Sequence, residues 1–188
     1  MKSTPQKLPF LAIACLGMIF SACAQKNYEL NKNQKFSISG TSTLHNWEMA
    51  SSEGAGTANF TTKDSKVEQI TALTLNILSE SLKSGKGAMD KNAYKTLNTD
   101  EFKTITYVLK KAEKVNDITW ELTGSYTIAG VCKELKTQVK TSVQDGIVTL
   151  QGSNKITFEE FGMNAPKALL GTIKTGQELM IKFNINFN

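Results

Sequence analysis

The side chains of the closing stretch, LMIKFNINFN, alternate between apolar and polar. Every odd position is apolar, and most even positions are polar; the apolar residues are Leu179, Ile181, Phe183, Ile185 and Phe187. Successive side chains of a β-strand point to opposite faces, so this period of two predicts a strand with one dry face. The dry face contacts a packed core, a partner, or a cavity that holds a ligand.

Short segments with the same period recur along the chain, among them KFSIS at 35–39, LTLNI at 73–77 and ITYVL at 105–109. Turn residues separate them, and Asp145 with Gly146 predicts a tight hairpin turn. Two stretches lack the period. We predict a short helix from an N-cap at Asp90 to Leu97, and a second helix after Pro166 that runs to Leu170. The pattern predicts an all-β protein, an antiparallel barrel of about eight strands with one or two short helices near a barrel mouth.

The first 24 residues have the order of an export signal. Lys2 and Lys7 lie in a short basic segment, residues 8–20 are apolar, and small residues follow. The apolar run is too short to span a membrane. Two processing routes remain open. Cleavage after Ala24 leaves residues 25–188 as a soluble periplasmic domain, whereas FSAC resembles a lipobox, in which case lipidated Cys23 would tether the protein to a membrane surface.

Composition excludes several classes of function. All basic residues are lysines, and the net charge of +5 falls to +3 without Lys2 and Lys7. Such a weak, dispersed charge does not predict a nucleic-acid partner. His45 is the only histidine and Cys132 is the only cysteine outside the signal. No internal disulfide, metal site, cofactor motif or catalytic set is therefore predicted, and we do not expect an enzyme.

The order of several segments resembles a known family. FSISGTSTLHNWE from Phe36 is followed by AMDKNAYKTLNTDEFKTITYVL, TIAGVCKEL and KITFEEFGMNAP. This series is similar to the YceI-like family of secreted, lipocalin-like proteins, and its TLHNW opening is similar to a branch found in Bacteroidota. In TIAGVCKEL, Ala129 and Cys132 replace a histidine and a threonine that are frequent in the family, so no polar role is carried over to these positions.

The resemblance implies a barrel that holds a polyisoprenoid, a quinone or another long amphiphilic lipid, as a carrier or sequestering protein. The alternative is a solid-core barrel that acts as a periplasmic interaction or stress-response module, and the oligomeric state is left open. Phe102 is expected near the mouth, and His45 at a strand end or against a ligand head group. Met89 is expected either on an adaptable lid or as a gap-filling residue of the core. The remaining predicted ligand contacts come from the inward faces of strands: Phe36, Ile38, Leu75, Tyr107, Trp120, Leu122, Tyr126, Phe183 and Ile185.

Overall fold

The computed structural model describes residues 26–32 and 34–188. The predicted signal and its cleavage site lie outside these residues. One α-helix, α1 (Gly87–Leu97), lies between the fifth and sixth strands. The strands are β1 (Lys26–Glu29), β2 (Lys35–Ser42), β3 (Trp47–Ser51), β4 (Ala55–Lys63), β5 (Lys66–Leu78), β6 (Thr104–Lys114), β7 (Thr119–Ile128), β8 (Val131–Gln144), β9 (Ile147–Thr157), β10 (Lys167–Ala168) and β11 (Ile173–Phe187).

These strands form one antiparallel sheet in the order β1-β4-β5-β6-β7-β8-β9-β11-β2-β3, and β10 pairs with β11. The sheet curls into a half-barrel. Backbone hydrogen bonds connect its edges to the rest of the chain. Glu29 and Asn188 exchange two bonds of 3.0 Å between β1 and the end of β11, and Ala50 and Lys83 exchange two of 2.9 Å between β3 and the segment before α1. Both edge strands are thus partly paired, which limits edge-to-edge association.

The alternating segments form strands, which confirms the predicted fold class. Asp145 and Gly146 have φ of 51° and 79°, which confirms the tight hairpin turn between β8 and β9. The described residues contain eleven strands, more than the number of about eight that the sequence predicts. The short strands β1, β3 and β10 span four, five and two residues, too few to give a clear alternating signal.

The first predicted helix exists, but its predicted start is wrong. Helix α1 begins at Gly87, and the Asp90 carboxylate accepts hydrogen bonds from the Ser84 backbone amide (2.8 Å) and hydroxyl (2.6 Å). Asp90 therefore ties the helix to the preceding segment.

The second predicted α-helix is wrong. Residues Lys167–Ala168 form β10, and Leu169–Gly171 form a tight turn that is closed by a 3.1 Å hydrogen bond from the Thr172 amide to the Leu169 carbonyl. Leu169 and Leu170 have φ of 47° and 53°, which a right-handed helix does not allow.

The interior is tightly filled at the end of the barrel where β11 finishes. Ile185 and Phe187 have no exposed surface. The Phe60 ring packs edge-on against Phe187 at 5.5 Å and against Tyr28 at 5.2 Å, measured between ring centroids. We call this region, made of Tyr28, Phe60, Val148, Leu150, Ile185 and Phe187, the packed end.

Candidate functional site

The opposite end of the interior contains a cavity of about 360 Å³ beneath α1. Almost all of its wall is apolar. The inward-facing side chains at this end of the strands form the wall, and we call this region the cavity end. Its members include Phe36, Ile38, Met49, Ile77, Ile105, Ile128, Ile156, Phe158, Leu179 and Ile181.

Helix α1 forms the roof of the cavity. Met89, Ala93 and Leu97 line it and lie four residues apart, so they share one face of the helix. The small side chain of Ala93 leaves space that a larger residue would fill. The spacing was visible in the sequence, but it could not show that the helix would cross the barrel mouth.

Polar contacts hold the helix in this position. The Tyr94 hydroxyl donates to the Glu80 carbonyl at 2.9 Å and accepts from the Lys83 ammonium. The Lys83 bond to Tyr94 raises the pKa of that lysine. Hydrogen bonds from the Ser84 hydroxyl and amide lower the pKa of Asp90. The helix is thus held in place at one side by polar groups, several of them half-buried, and its apolar side chains face the cavity.

The mouth is bordered by the turn between β2 and β3. The Ser42 hydroxyl accepts from the His45 amide at 3.1 Å and donates to the His45 carbonyl at 2.7 Å, which fixes the turn. The exposed His45 ring donates through Nδ1 to the Asn46 carbonyl at 2.9 Å. His45 lines the cavity, and its second ring nitrogen can still contact a polar ligand atom.

Two aromatic rings lie in the next layer inward from the cavity. A Cβ atom placed on Gly124 would lie 2.3 Å from the Tyr107 ring, and one on Gly152 would lie 2.6 Å from the Phe183 ring. Only glycine leaves room for these rings to lie against the sheet. Along β11, Phe183 lies between Ile181, which lines the cavity, and Ile185 of the packed end.

The same layer contains a small polar network. Tyr107 and Tyr126 pack edge-on at 4.9 Å between ring centroids. The Tyr126 hydroxyl is 2.7 Å from the Thr137 hydroxyl, which also accepts from the Asn154 amide at 2.8 Å. The Tyr107 hydroxyl has no hydrogen-bond partner among the described residues. Burial raises the pKa of both tyrosines.

The structure brings four of the predicted ligand contacts together at the cavity: Phe36, Ile38, His45 and Met89. The others do not line it. Phe102 lies against Gly130, where an added Cβ would come within 2.4 Å of its ring. The rest pack in or against the core: Leu75, Tyr107, Trp120, Leu122, Tyr126, Phe183 and Ile185. A role in ligand binding for these residues stays a prediction.

Sequence reasoning left out much of the observed wall. Leu179 and Ile181 belong to the alternating stretch that predicts β11, but the ligand contacts predicted on this strand are the deeper residues Phe183 and Ile185. Alternation identifies the inward face but gives no depth along it. The position of the helical insertion was a usable signal, since Ile77 and Ile105 directly flank the segment that contains α1 and both line the cavity.

Within residues 26–32 and 34–188, no three His, Cys, Asp or Glu side chains are grouped closely enough to hold a metal ion. No helix in this part of the chain has the length and apolar character needed to cross a membrane.

An antiparallel half-barrel with an apolar cavity at one end defines a lipocalin-like binding fold. The chain belongs to the YceI-like family, because the model of the YceI-like domain matches residues 28–187. No curated protein matches the sequence.

Solved structures of low sequence identity share the fold. BcnA of Burkholderia cenocepacia is 16% identical with a TM-score of 0.72, over 84% of this chain and 98% of that one. A polyisoprenoid binding domain from Saccharophagus degradans is 11% identical with a TM-score of 0.64, over 86% and 97%. The YCEI protein of Campylobacter jejuni is 17% identical with a TM-score of 0.60, over 71% and 80%.

Proposed function

We propose that this protein is an exported, non-enzymatic carrier that holds the apolar chain of a polyisoprenoid or a similar amphiphilic lipid in the cavity beneath α1. The observation that carries the proposal is the almost wholly apolar wall of that cavity. The description of the Saccharophagus degradans neighbour as a polyisoprenoid binding domain supports the same ligand class. Export rests on the basic, apolar and small-residue order of residues 1–24.

The size of the cavity limits what it encloses. Its volume of about 360 Å³ lies within the range of roughly 300–1,000 Å³ usual for ligand pockets. A cavity of about 150 Å³ accepts benzene, so this one has room for roughly two isoprene units. A longer chain would extend through the mouth or displace α1. A head group at the mouth would then lie near His45, Lys86 and Asn92.

Apolar contact alone can provide useful affinity. Burial contributes about 0.8 kcal/mol per CH₂, so about ten carbons would give ~8 kcal/mol before the costs of association. Because association itself costs several kcal/mol, we expect a short isoprenoid alcohol to bind with a Kd well above about 1 µM, the value that ~8 kcal/mol alone would give. Such binding needs no charged partner inside the barrel.

The test is a titration with farnesol that follows Trp47, which lines the cavity. Trp120→Phe leaves Trp47 as the only tryptophan, and thermal unfolding checks that this variant is folded. We expect saturable changes in emission, and bound lipid in native mass spectra of protein purified from its own host. A folded protein that shows neither result would contradict the proposal and favour the solid interaction module.

A further inference from the structure

Three exposed leucines stand at the mouth of the cavity, on two loops. Leu44 is 66% exposed, Leu169 is 71% exposed and Leu170 is fully exposed. Leu44 itself lines the cavity, and Ala168 and Ile173, which flank the other two leucines, also line it. We call Leu44, Leu169 and Leu170 the leucine rim.

The two loops of the rim are joined to each other. The Thr43 amide donates to the Lys174 carbonyl at 3.0 Å, and the Lys174 amide donates to the Thr43 hydroxyl at 3.2 Å. These reciprocal bonds connect the turn that carries Leu44 to the segment that follows Leu169 and Leu170. The rim is therefore one surface built from two distant parts of the sequence.

Two of the leucines, Leu169 and Leu170, are exposed to solvent on a strained segment of backbone. Leu169, Leu170 and Gly171 have φ of 47°, 53° and 90°. Leucine rarely adopts this left-handed region, and adjacent residues do so more rarely still. Strained backbone that presents apolar side chains outward is more typical of a binding surface than of a passive loop.

The charge around the rim is positive. Residues 42–46 and 166–175 contain two lysines, Lys167 and Lys174, and no Asp or Glu. Lys86 borders the mouth on the side of α1. None of these three lysines takes part in the ion pairs formed among the described residues.

We propose that the leucine rim and its lysines dock the mouth of the cavity onto a membrane surface that contains anionic lipids. The leucines insert into the interface between head groups and acyl chains, while the lysines attract the negative head groups. A lipid then passes between bilayer and cavity without crossing open water. This inference rests on the proposed function, since docking at the mouth is useful to a carrier of membrane lipids.

Co-sedimentation with vesicles tests the docking. Vesicles of phosphatidylcholine alone are compared with vesicles that also contain phosphatidylglycerol. Every form of the protein carries Cys23→Ala, so that no acyl group at that position contributes. The rim variant is Leu169→Asn with Leu170→Asn, because asparagine tolerates the left-handed backbone. The matched control is Val115→Asn with Ile118→Asn, which removes two exposed apolar residues from the β6–β7 turn at the other end of the barrel.

We expect the parent to bind the anionic vesicles, with binding that weakens as salt rises. The rim variant should lose about tenfold in partitioning, and the control should change less than about twofold. Lys167→Gln with Lys174→Gln should lower binding to the anionic vesicles and reduce its salt dependence. Farnesol affinity, measured without vesicles, should stay unchanged in the rim variant.

Vesicle binding by the rim variant equal to that of the parent would overturn the docking inference. It would also be overturned if the rim variant dissociated an oligomer of the parent, because a second copy would then cover the leucines. Loss of farnesol binding in the rim variant would assign the leucines to the cavity instead. Failure of the parent to bind farnesol would contradict the proposed function. This outcome is measured without vesicles, so it is distinguished from a failure of docking.

Discussion

The two ends of the barrel interior differ in how completely side chains fill them, although the same strands build both. On the inward face of β11, Leu179 and Ile181 line the cavity, whereas Ile185 and Phe187 are fully buried. A small barrel can be filled by side chains or can hold one small ligand. In this barrel, side chains fill one end and leave a cavity at the other.

The largest predicted effect is a difference in the free energy of unfolding between alanine variants of two isoleucines on the same face of the same strand. Ile185→Ala removes a side chain with no exposed surface, so we expect a loss of about 2–5 kcal/mol in the free energy of unfolding. Ile181 already borders open space, so Ile181→Ala should cost no more than about 1 kcal/mol. Urea unfolding of ligand-free protein measures both.

Asn184→Ala is the control for this pair, because Asn184 is exposed on the outer face between the two isoleucines. It should change stability by less than about 0.5 kcal/mol. Equal losses for Ile181→Ala and Ile185→Ala would show that the cavity end is as tightly packed as the opposite end.

The difference between the two ends also shows which features of the fold could be predicted from the sequence and which could not. The period of two predicted the strands and their inward faces, because the pleat fixes that period locally. Which inward residues touch open space depends on what covers each end of the barrel. The roof comes from α1 and the filling of the packed end from Tyr28 and Phe60, and these contacts join residues far apart in the sequence.

The rim shows a second limit. Pro166 and the residues after it match a helix start, yet Leu169 and Leu170 adopt positive φ. The pairing of β10 with β11 and the bonds between Thr43 and Lys174 override the local preference for a helix. The bonds between Thr43 and Lys174 join residues that are far apart in the sequence, so the local sequence pattern cannot predict them.

Substitution by tryptophan should affect ligand affinity at Ile181 and stability at Ile185. Ile181→Trp places a large side chain in existing space, so the fold should survive while farnesol affinity falls at least tenfold, about 1.4 kcal/mol. Ile185→Trp overpacks a filled region and should cost about 1–3 kcal/mol of stability or more. Calorimetric unfolding and farnesol titration distinguish these outcomes. If Ile181→Trp unfolded the protein and Ile185→Trp did not, the assignment of the two ends would be wrong.

The layer between the two ends offers a finer test. Tyr126→Phe removes a hydroxyl bonded to Thr137 and should cost about 1 kcal/mol. Tyr107→Phe removes a buried hydroxyl that has no partner among the described residues, so it should be neutral or stabilising. Both changes keep the aromatic ring, which makes the pair well matched. An equal loss in urea unfolding for the two variants would indicate that the Tyr107 hydroxyl also makes a stabilising bond.

The smallest effect should come from the polar edge of the cavity end. His45 is exposed, and its ring already donates to the Asn46 carbonyl, so one nitrogen at most remains for a ligand. One hydrogen bond contributes a net of about 0.5–1.5 kcal/mol, a small share of a mainly apolar interaction. We therefore expect His45→Ala to weaken farnesol binding less than tenfold by isothermal titration calorimetry. Leu179→Ala, on the apolar wall, should weaken it more. A loss beyond tenfold in His45→Ala, with circular dichroism unchanged, would mean that a polar contact at the mouth dominates recognition and that the apolar wall is secondary.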